Sequence, residues 1–417
     1  MSSPKILISG AGIAGSVFAF WLLRAYPNAN ITIVERDPSL RLTGASVDIR
    51  SSAVDIIKWM GAEQEIRAQS TKEEGVQFVD AHGTAAATMR ATGRSDVQSI
   101  TSEFEIYRGA LAKIFIDPIK TRVRFIFDES VDGFEQRDDG VVVTFARGKE
   151  VETYDLLVAA DGFGSRIRGM MLDSTPQEQV HDVGVHIAYF TIKSDMLQGS
   201  RLAKWYNATG GRVVFLRPDN DPAGRTRGNL MNVTTSAEVE TKERLNKAFR
   251  EGNESYMALM EEMFRDAGWV APEVLQGMRE SDDFYCSLFG QIRAPKLQKG
   301  RVVLLGDAGY ATPGFGTSLA IIGGYVLAGE LLKHRGDVET ALQRYEGLMA
   351  PYVKESQGGD QAMQYFNPRT QMGIRIRNTL LSFVTGMRLD RLVMAGAAML
   401  GFEETKLSMP DYQWPAE

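Results

Sequence analysis

The stretch Lys5-Ile6-Leu7-Ile8-Ser9-Gly10-Ala11-Gly12-Ile13-Ala14-Gly15, with the apolar run on to Tyr26 and the β-rich Ile31-Thr32-Ile33-Val34-Glu35 behind it, decides the fold. A short apolar run enters a glycine turn, the turn opens a segment of helical length, and a β-branched run follows. That is one βαβ unit of a parallel sheet. Gly10, Gly12 and Gly15 stand in G-x-G-x-x-G spacing at the strand-to-helix turn. Gly10 permits the tight turn, Gly12 lets backbone amides approach a pyrophosphate, and Gly15 lets helix and strand pack closely. Ala14 lies in the same first helical turn, whose unpaired N–H groups and partial positive charge face an anion. Glu35 ends the second strand twenty residues after Gly15. A carboxylate there accepts hydrogen bonds from ribose hydroxyls and repels a 2′-phosphate. These parts predict a dinucleotide site and leave open whether the dinucleotide carries flavin or nicotinamide.

Outward from this unit, 45–50 alternates like a strand, 53–60 reads as a helix ended by Gly61, and 75–80 as a strand. A helix over about 108–120 leads into strands near 123–127, 131–136 and 141–146. The continuous apolar run 154–160 reads as a buried parallel strand. Between 180 and 290 the character changes. Strand-like segments at 181–193, 201–206, 212–216, 229–235 and 283–288 surround one helical stretch, 242–265, and predict a separate, mostly antiparallel sheet. The α/β pattern resumes with a strand at 301–305 and a helix at 318–334, and the tail from 341 is helical. The expected organisation is a discontinuous cofactor domain (1–75, 101–178 and 289–350), a substrate domain (76–100 and 179–288) and a C-terminal helical segment (351–417).

With 417 residues the chain exceeds the usual single domain of about 100–200 residues, while 44% hydrophobic and 24% charged residues are ordinary for a globular protein. A net charge of −6 and no dense Lys/Arg run argue against nucleic acid or anionic lipid as a partner. The single cysteine, Cys286, excludes an intrachain disulfide, and His82, His181, His186 and His334 show no metal-ligand spacing. Redox chemistry, if present, needs an organic cofactor. The chain enters a strand at Lys5 with no basic and apolar leader before it, so a cytoplasmic location is expected. Arg388, Asp390 and Arg391 interrupt the apolar stretch 380–400 before it reaches the about 20 residues of a membrane span. It is expected to be a docking helix, and the protein a monomer or homodimer.

Two further segments bear on the cofactor. Asp155-Leu156-Leu157-Val158-Ala159-Ala160-Asp161-Gly162, continuing through Ser165-Arg166-Ile167-Arg168, resembles the Asp-Gly fingerprint of flavoprotein hydroxylases. Arg301-Val302-Val303-Leu304-Leu305-Gly306-Asp307-Ala308, continuing through Pro313-Gly314-Phe315-Gly316, resembles their Gly-Asp fingerprint. With the N-terminal motif and Glu35-Arg36, the chain resembles the single-component FAD-dependent monooxygenases of the para-hydroxybenzoate hydroxylase-like fold. The stretch Gly316-Thr317-Ser318-Leu319-Ala320-Ile321-Ile322-Gly323-Gly324 departs from the Gly-x-Asn-x-x-x-x-Asp-Ala of many aromatic hydroxylases. It is more similar to the branch of tetracycline-inactivating monooxygenases and fungal tailoring enzymes.

The resemblance implies an α/β fold with a Rossmann-like FAD-binding domain of the glutathione-reductase type, split by an inserted substrate-binding sheet. It implies transient reduction of FAD by NADPH or NADH, then oxygenation of a small organic substrate by O2 through a flavin C4a-hydroperoxide, in secondary metabolism or xenobiotic breakdown. Asp307, at the C-terminal end of a parallel strand, is placed to hold a ribitol hydroxyl. A helix starting near Gly316 and Thr317, after the turn at Pro313, would stabilise negative charge on a reduced flavin. By the same resemblance Asp161 and Gly162 contact FAD, Arg108 starts a helix that reaches its phosphates, and Arg201 and Asp48 approach flavin and substrate. A structural salt bridge for Arg201 and an exposed strand acid for Asp48 are the alternatives. Phe190, Phe215 and Met231 are candidate cavity residues, although Met and aromatic residues at strand spacing are more often core. His186 and Tyr189, on opposite faces of one strand, read as core side chains and Cys286 as a buried small hydrophobe. Rival functions are a flavin-dependent reductase or dehydrogenase, a halogenase and a non-catalytic dinucleotide-fold binder. Trp21, Trp59, Trp205, Trp269 and Trp414 do not form the Trp-x-Trp-x-x-Pro spacing of halogenases.

Overall fold

The computed structural model describes residues 3–40, 44–90, 104–148, 151–221, 223–357, 362–386 and 408–415. A six-stranded sheet runs in the order Gln298–Lys299, Val302–Leu304, Leu156–Ala159, Lys5–Ser9, Asn30–Glu35, Arg124–Phe127. All neighbours are parallel except the outermost pair, Gln298–Lys299 against Val302–Leu304. The central strands carry unbroken apolar runs because both faces are covered. On one face, helix Ile13–Ala25 packs against helix Gly316–Lys333. On the other lies a three-stranded antiparallel sheet, Val131–Arg137, Gly140–Phe145 and Val151–Tyr154, sharing a core with Leu7, Leu157 and Leu304.

A second sheet has seven strands in the order Tyr285–Ile292, Val180–Ile192, Thr226–Val233, Arg212–Pro218, Leu202–Ala208, Gly75–Val79, Ala85–Arg90. It is antiparallel apart from Leu202–Ala208 beside Gly75–Val79. Strand alternation gives it two faces. One bears Ala188, Phe190, Leu216 and Leu230 and is covered by helices Val239–Glu251, Asn253–Phe264 and Ala271–Arg279. The other bears Tyr189, Trp205, Phe215 and Met231. Phe190 therefore packs in the core under the helices and not in a cavity on the Tyr189 face.

The helical stretch expected over 242–265 is two helices, broken at Gly252, whose φ of 106° an L side chain rarely adopts. The strand expected over 45–50 shrinks to Ser46–Val47, paired with Ile106–Tyr107. Helices Val338–Ser356, Ala362–Phe366 and Gln371–Gly386 form the helical tail. Residues 408–415 are not helical. Their Tyr412 and Trp414 close over Tyr325 and Trp21. Of the apolar stretch 380–400, residues 380–386 end the helix Gln371–Gly386 and the rest lies outside the described residues, as does 91–100 of the expected substrate domain. Among the described residues no helix is long and apolar enough to cross a membrane.

Candidate cofactor and substrate site

Three strand ends converge on the glycine turn. Gly10 N donates to Val34 O at 2.8 Å, and a Cβ on Gly10 would lie 2.3 Å from Ala160 O. Gly15 is as tightly placed, its hypothetical Cβ 2.3 Å from Gly10 O. Gly12 differs, because a Cβ there would meet no protein atom within 4 Å. It is the N-cap of helix Ile13–Ala25 and gives that helix no side-chain cap. The first N–H groups are thus left for an outside acceptor. Glu35 accepts from Ala11 N at 2.9 Å and from Asp37 N at 3.1 Å, so its carboxylate also braces the turn. Arg36 beside it is exposed.

The other two fingerprints close on the same place. A Cβ on Gly306 would touch Ala14 Cβ at 2.7 Å, and one on Gly316 would stand 3.0 Å from Asp307 Oδ1. Desolvation raises the pKa of Asp307 and the Arg108 guanidinium lowers it. Arg108 is exposed, packs against Gly44 and starts helix Arg108–Ile116. Asp161 Oδ1 is enclosed without a hydrogen-bond partner. Burial raises its pKa, and Ser165 opposes the shift. Gly162, in the left-handed region, then turns the chain. Pro313 and Thr317 are half-buried on either side of an open Gly314. Ser318 Oγ accepts from Arg50 N at 2.9 Å, and helix Gly316–Lys333 starts without a side-chain cap.

Arg168 was read only as part of a fingerprint, yet its side chain is fully buried. It donates to Ala308 O at 2.9 Å, Phe163 O at 2.9 Å and Pro176 O at 2.7 Å. One guanidinium thus ties the Asp-Gly segment to the Gly-Asp segment. Nothing in the sequence periodicity marks an arginine for burial. Arg166, by contrast, is exposed and pairs with Asp132.

Asp48 is not an exposed strand acid. Arg50 donates to its Oδ2 at 2.7 Å, while its Oδ1 is enclosed and unpartnered. Arg201 binds the carbonyls of Lys72, Asp219 and Thr71 and the Asn220 side chain. It therefore ties two loops together at the rim of a groove of about 490 Å³, which Tyr107, Lys72 and Arg227 also line. Arg217, which shares the inward parity of Phe215, was missed. It bonds Glu73, Glu105 and Ser46, joining the second sheet to the cofactor side. Tyr189 stacks on Tyr285 with centroids 4.8 Å apart. His186 faces the helices, where its Nε2 pairs with Asn246 Oδ1 at 3.0 Å. Cys286 is half-buried, and burial pushes its thiol up to about 11.

An open Gly12 at an uncapped helix start, an acid at the second strand end and an unpartnered Asp161 oxygen fit FAD as the group this site would hold. Residues 4–355 match the family model described as FAD binding domain. The FAD-dependent monooxygenase asL4 of Sarocladium schorii is 32% identical over 438 residues, covering 99% of each chain. Monooxygenase CTB7 of Cercospora beticola is 32% identical over 425 residues, covering 99% of this chain and 98% of its own. The crystal structure of tetracycline destructase Tet(51) superposes with a TM-score of 0.76 at 28% identity, over 99% of this chain and 100% of that one. A family match over most of the length, with relatives that align end to end, means that the chain belongs to the FAD binding domain family, among the FAD-dependent monooxygenases.

Proposed function

We propose that this FAD-dependent monooxygenase draws its electrons from NADPH or NADH docking transiently, and that its substrate is an aromatic or polycyclic molecule held against the Tyr189 face of the seven-stranded sheet. One observation carries the reading. The aromatic face ends at Arg217, bonded to Ser46 and Glu105 of the cofactor side, and the neighbouring Arg50 N reaches Ser318 at the start of helix Gly316–Lys333. Bound FAD supplies electron transfer and oxygen activation.

The chain's own residues do the rest. The amides after Gly12 would hold the pyrophosphate, with Arg108 and Arg36 as the exposed cations near it. Glu35 accepts from the adenosine ribose and Asp307 from the ribitol chain. The helix start at Gly316 and Thr317 would turn its positive end towards negative charge on a bound flavin. Tyr189, Tyr285, Trp205, Phe215 and Met231 wall off water, which an oxygen-activating site must exclude. Arg201 at the groove rim and Asp48 at the seam are the polar groups proposed to orient substrate. The likeness to a tetracycline destructase supports a polycyclic, oxygen-rich substrate class.

The test is to purify the protein, identify its flavin by mass, and follow NADPH and NADH oxidation with a panel of polycyclic phenols that includes tetracycline. The expected result is FAD, faster donor oxidation with one substrate class, and a product heavier by one oxygen. A protein without FAD overturns the cofactor assignment. Donor oxidation with no oxygenated product across the panel favours a reductase instead.

A further inference from the structure

Five charged side chains meet at the seam between the two large sheets. Arg217 donates from Nε to Glu73 Oε2 at 2.9 Å and from its terminal nitrogens to Glu105 and Ser46. Arg50 donates to Asp48 at 2.7 Å. The side chains of Glu73 and Glu105 are only 1% and 6% exposed, so water does little to stabilise their charge. Glu73 Oε1 and Asp48 Oδ1 are both enclosed with no hydrogen-bond partner. Three carboxyls thus face two guanidiniums. Full ionisation would leave one unbalanced negative charge in a desolvated pocket, and such a group takes up a proton instead.

We propose that Asp48 and Glu73, each with an enclosed oxygen that lacks a partner, share one proton at neutral pH, and that Arg217 is the positioning residue that holds this acid cluster against the cofactor end of the substrate face. The second half rests on the flavin position proposed above. Every element around the seam contributes to the balance. Desolvation raises Glu73 to about 7, with Glu105 and Asp48 pushing the same way and Arg217 opposing. Asp48 rises through burial and Glu105, against Arg50 and Arg217. Tyr107 and Tyr189 also feel Arg217, but burial pushes both up, Tyr107 to about 12, so they stay neutral. The shared proton supplies the counter-charge that two guanidiniums leave unmet among three carboxyls. It also sets the charge of Asp48, hence the charge beside the ring.

The proposal is tested on the holoenzyme by infrared difference spectroscopy as the pH is stepped from about 6 to about 8. Wild type is expected to lose a protonated-carboxyl C=O band with a midpoint of about 7. Glu73→Gln, Asp48→Asn and Glu105→Gln each leave two carboxyls facing two guanidiniums, so each should lose that titration. If one variant fails to fold, the other two carry the test. The flavin absorbance of wild type should shift with the same midpoint. No acid band in wild type, or an undiminished titration in the variants, overturns the shared proton. A band that the flavin absorbance does not follow overturns its placement at the ring. The infrared titration does not need flavin, so a protein without FAD would sink the functional reading while leaving the cluster tested.

Discussion

Gly10 and Gly12 stand two residues apart in one turn and meet opposite surroundings. Gly10 has φ of 110° and a strand carbonyl 2.3 Å from where a Cβ would be, whereas Gly12 is extended and open. Gly10→Ala is therefore expected to cost about 1–3 kcal/mol in the apoprotein through backbone strain alone. Gly12→Ala should unfold in urea within about 0.5 kcal/mol of wild type and yet lose its flavin absorbance, because the open space is where the pyrophosphate is proposed to bind. Full FAD occupancy in Gly12→Ala would remove the helix start as the phosphate site. The motif made this contrast readable from sequence, since each glycine has its own task at fixed spacing. Arg217 was not readable in that way. Its inward parity follows from Val213 and Phe215, but a lone arginine on an apolar strand gives no hint that Glu73 and Glu105, more than a hundred residues earlier, close on it.

At the scale of elements, the parallel strands and their helices were legible because buried runs and a 3.6-residue period leave a strong pattern. The clamp between fingerprints was not. Arg168→Met would leave the carbonyls of Phe163, Ala308 and Pro176 without their donor. At about 1–3 kcal/mol for each buried unsatisfied group, the loss should lower the denaturation midpoint clearly and weaken FAD retention with it. Arg168→Lys should recover part of both, because one ammonium can reach some of the three oxygens. A Met variant as stable as wild type would mean that the carbonyls find other donors. The break at Gly252 was missed for a simpler reason. The apolar period runs through both helices, and a single glycine inside a helical pattern is tolerated often enough not to mark an end. Its positive φ makes Gly252→Ala costly by about 1–3 kcal/mol. Since these helices cover the far face of the sheet, flavin content should not change.

Across the whole molecule, the seven-stranded sheet works as a partition. Its Tyr189 face packs against Met363, Phe366 and Leu381 of the tail and reaches the cofactor side through Arg217, and its other face is sealed by helices around Phe190, Leu230 and His186. Sequence alternation placed His186 and Tyr189 on opposite faces but could not say which face would meet the flavin, because both carry apolar residues. That partition predicts an acid response separable from the cofactor. Burial lowers the pKa of His186 below its ordinary 6.5, so the folded state keeps the ring neutral where the unfolded chain binds a proton. Stability contributed by the neutral ring is therefore complete above about pH 6.5 and is lost as pH falls below it, down to the depressed folded value. His186→Gln can still donate to Asn246 but does not titrate, and should flatten that part of the stability curve. Glu73 has the opposite sign, its stabilisation fading as pH rises from about 4.5 towards 7. The comparison must accordingly be made between variant and wild type at each pH. Thermal melts followed by circular dichroism read the His186 effect, and flavin absorbance on the same samples reads the cofactor side. Equal acid sensitivity in His186→Gln and wild type would remove His186 as the source, and a flavin spectrum that moves with His186 would show that the sheet does not insulate its two faces.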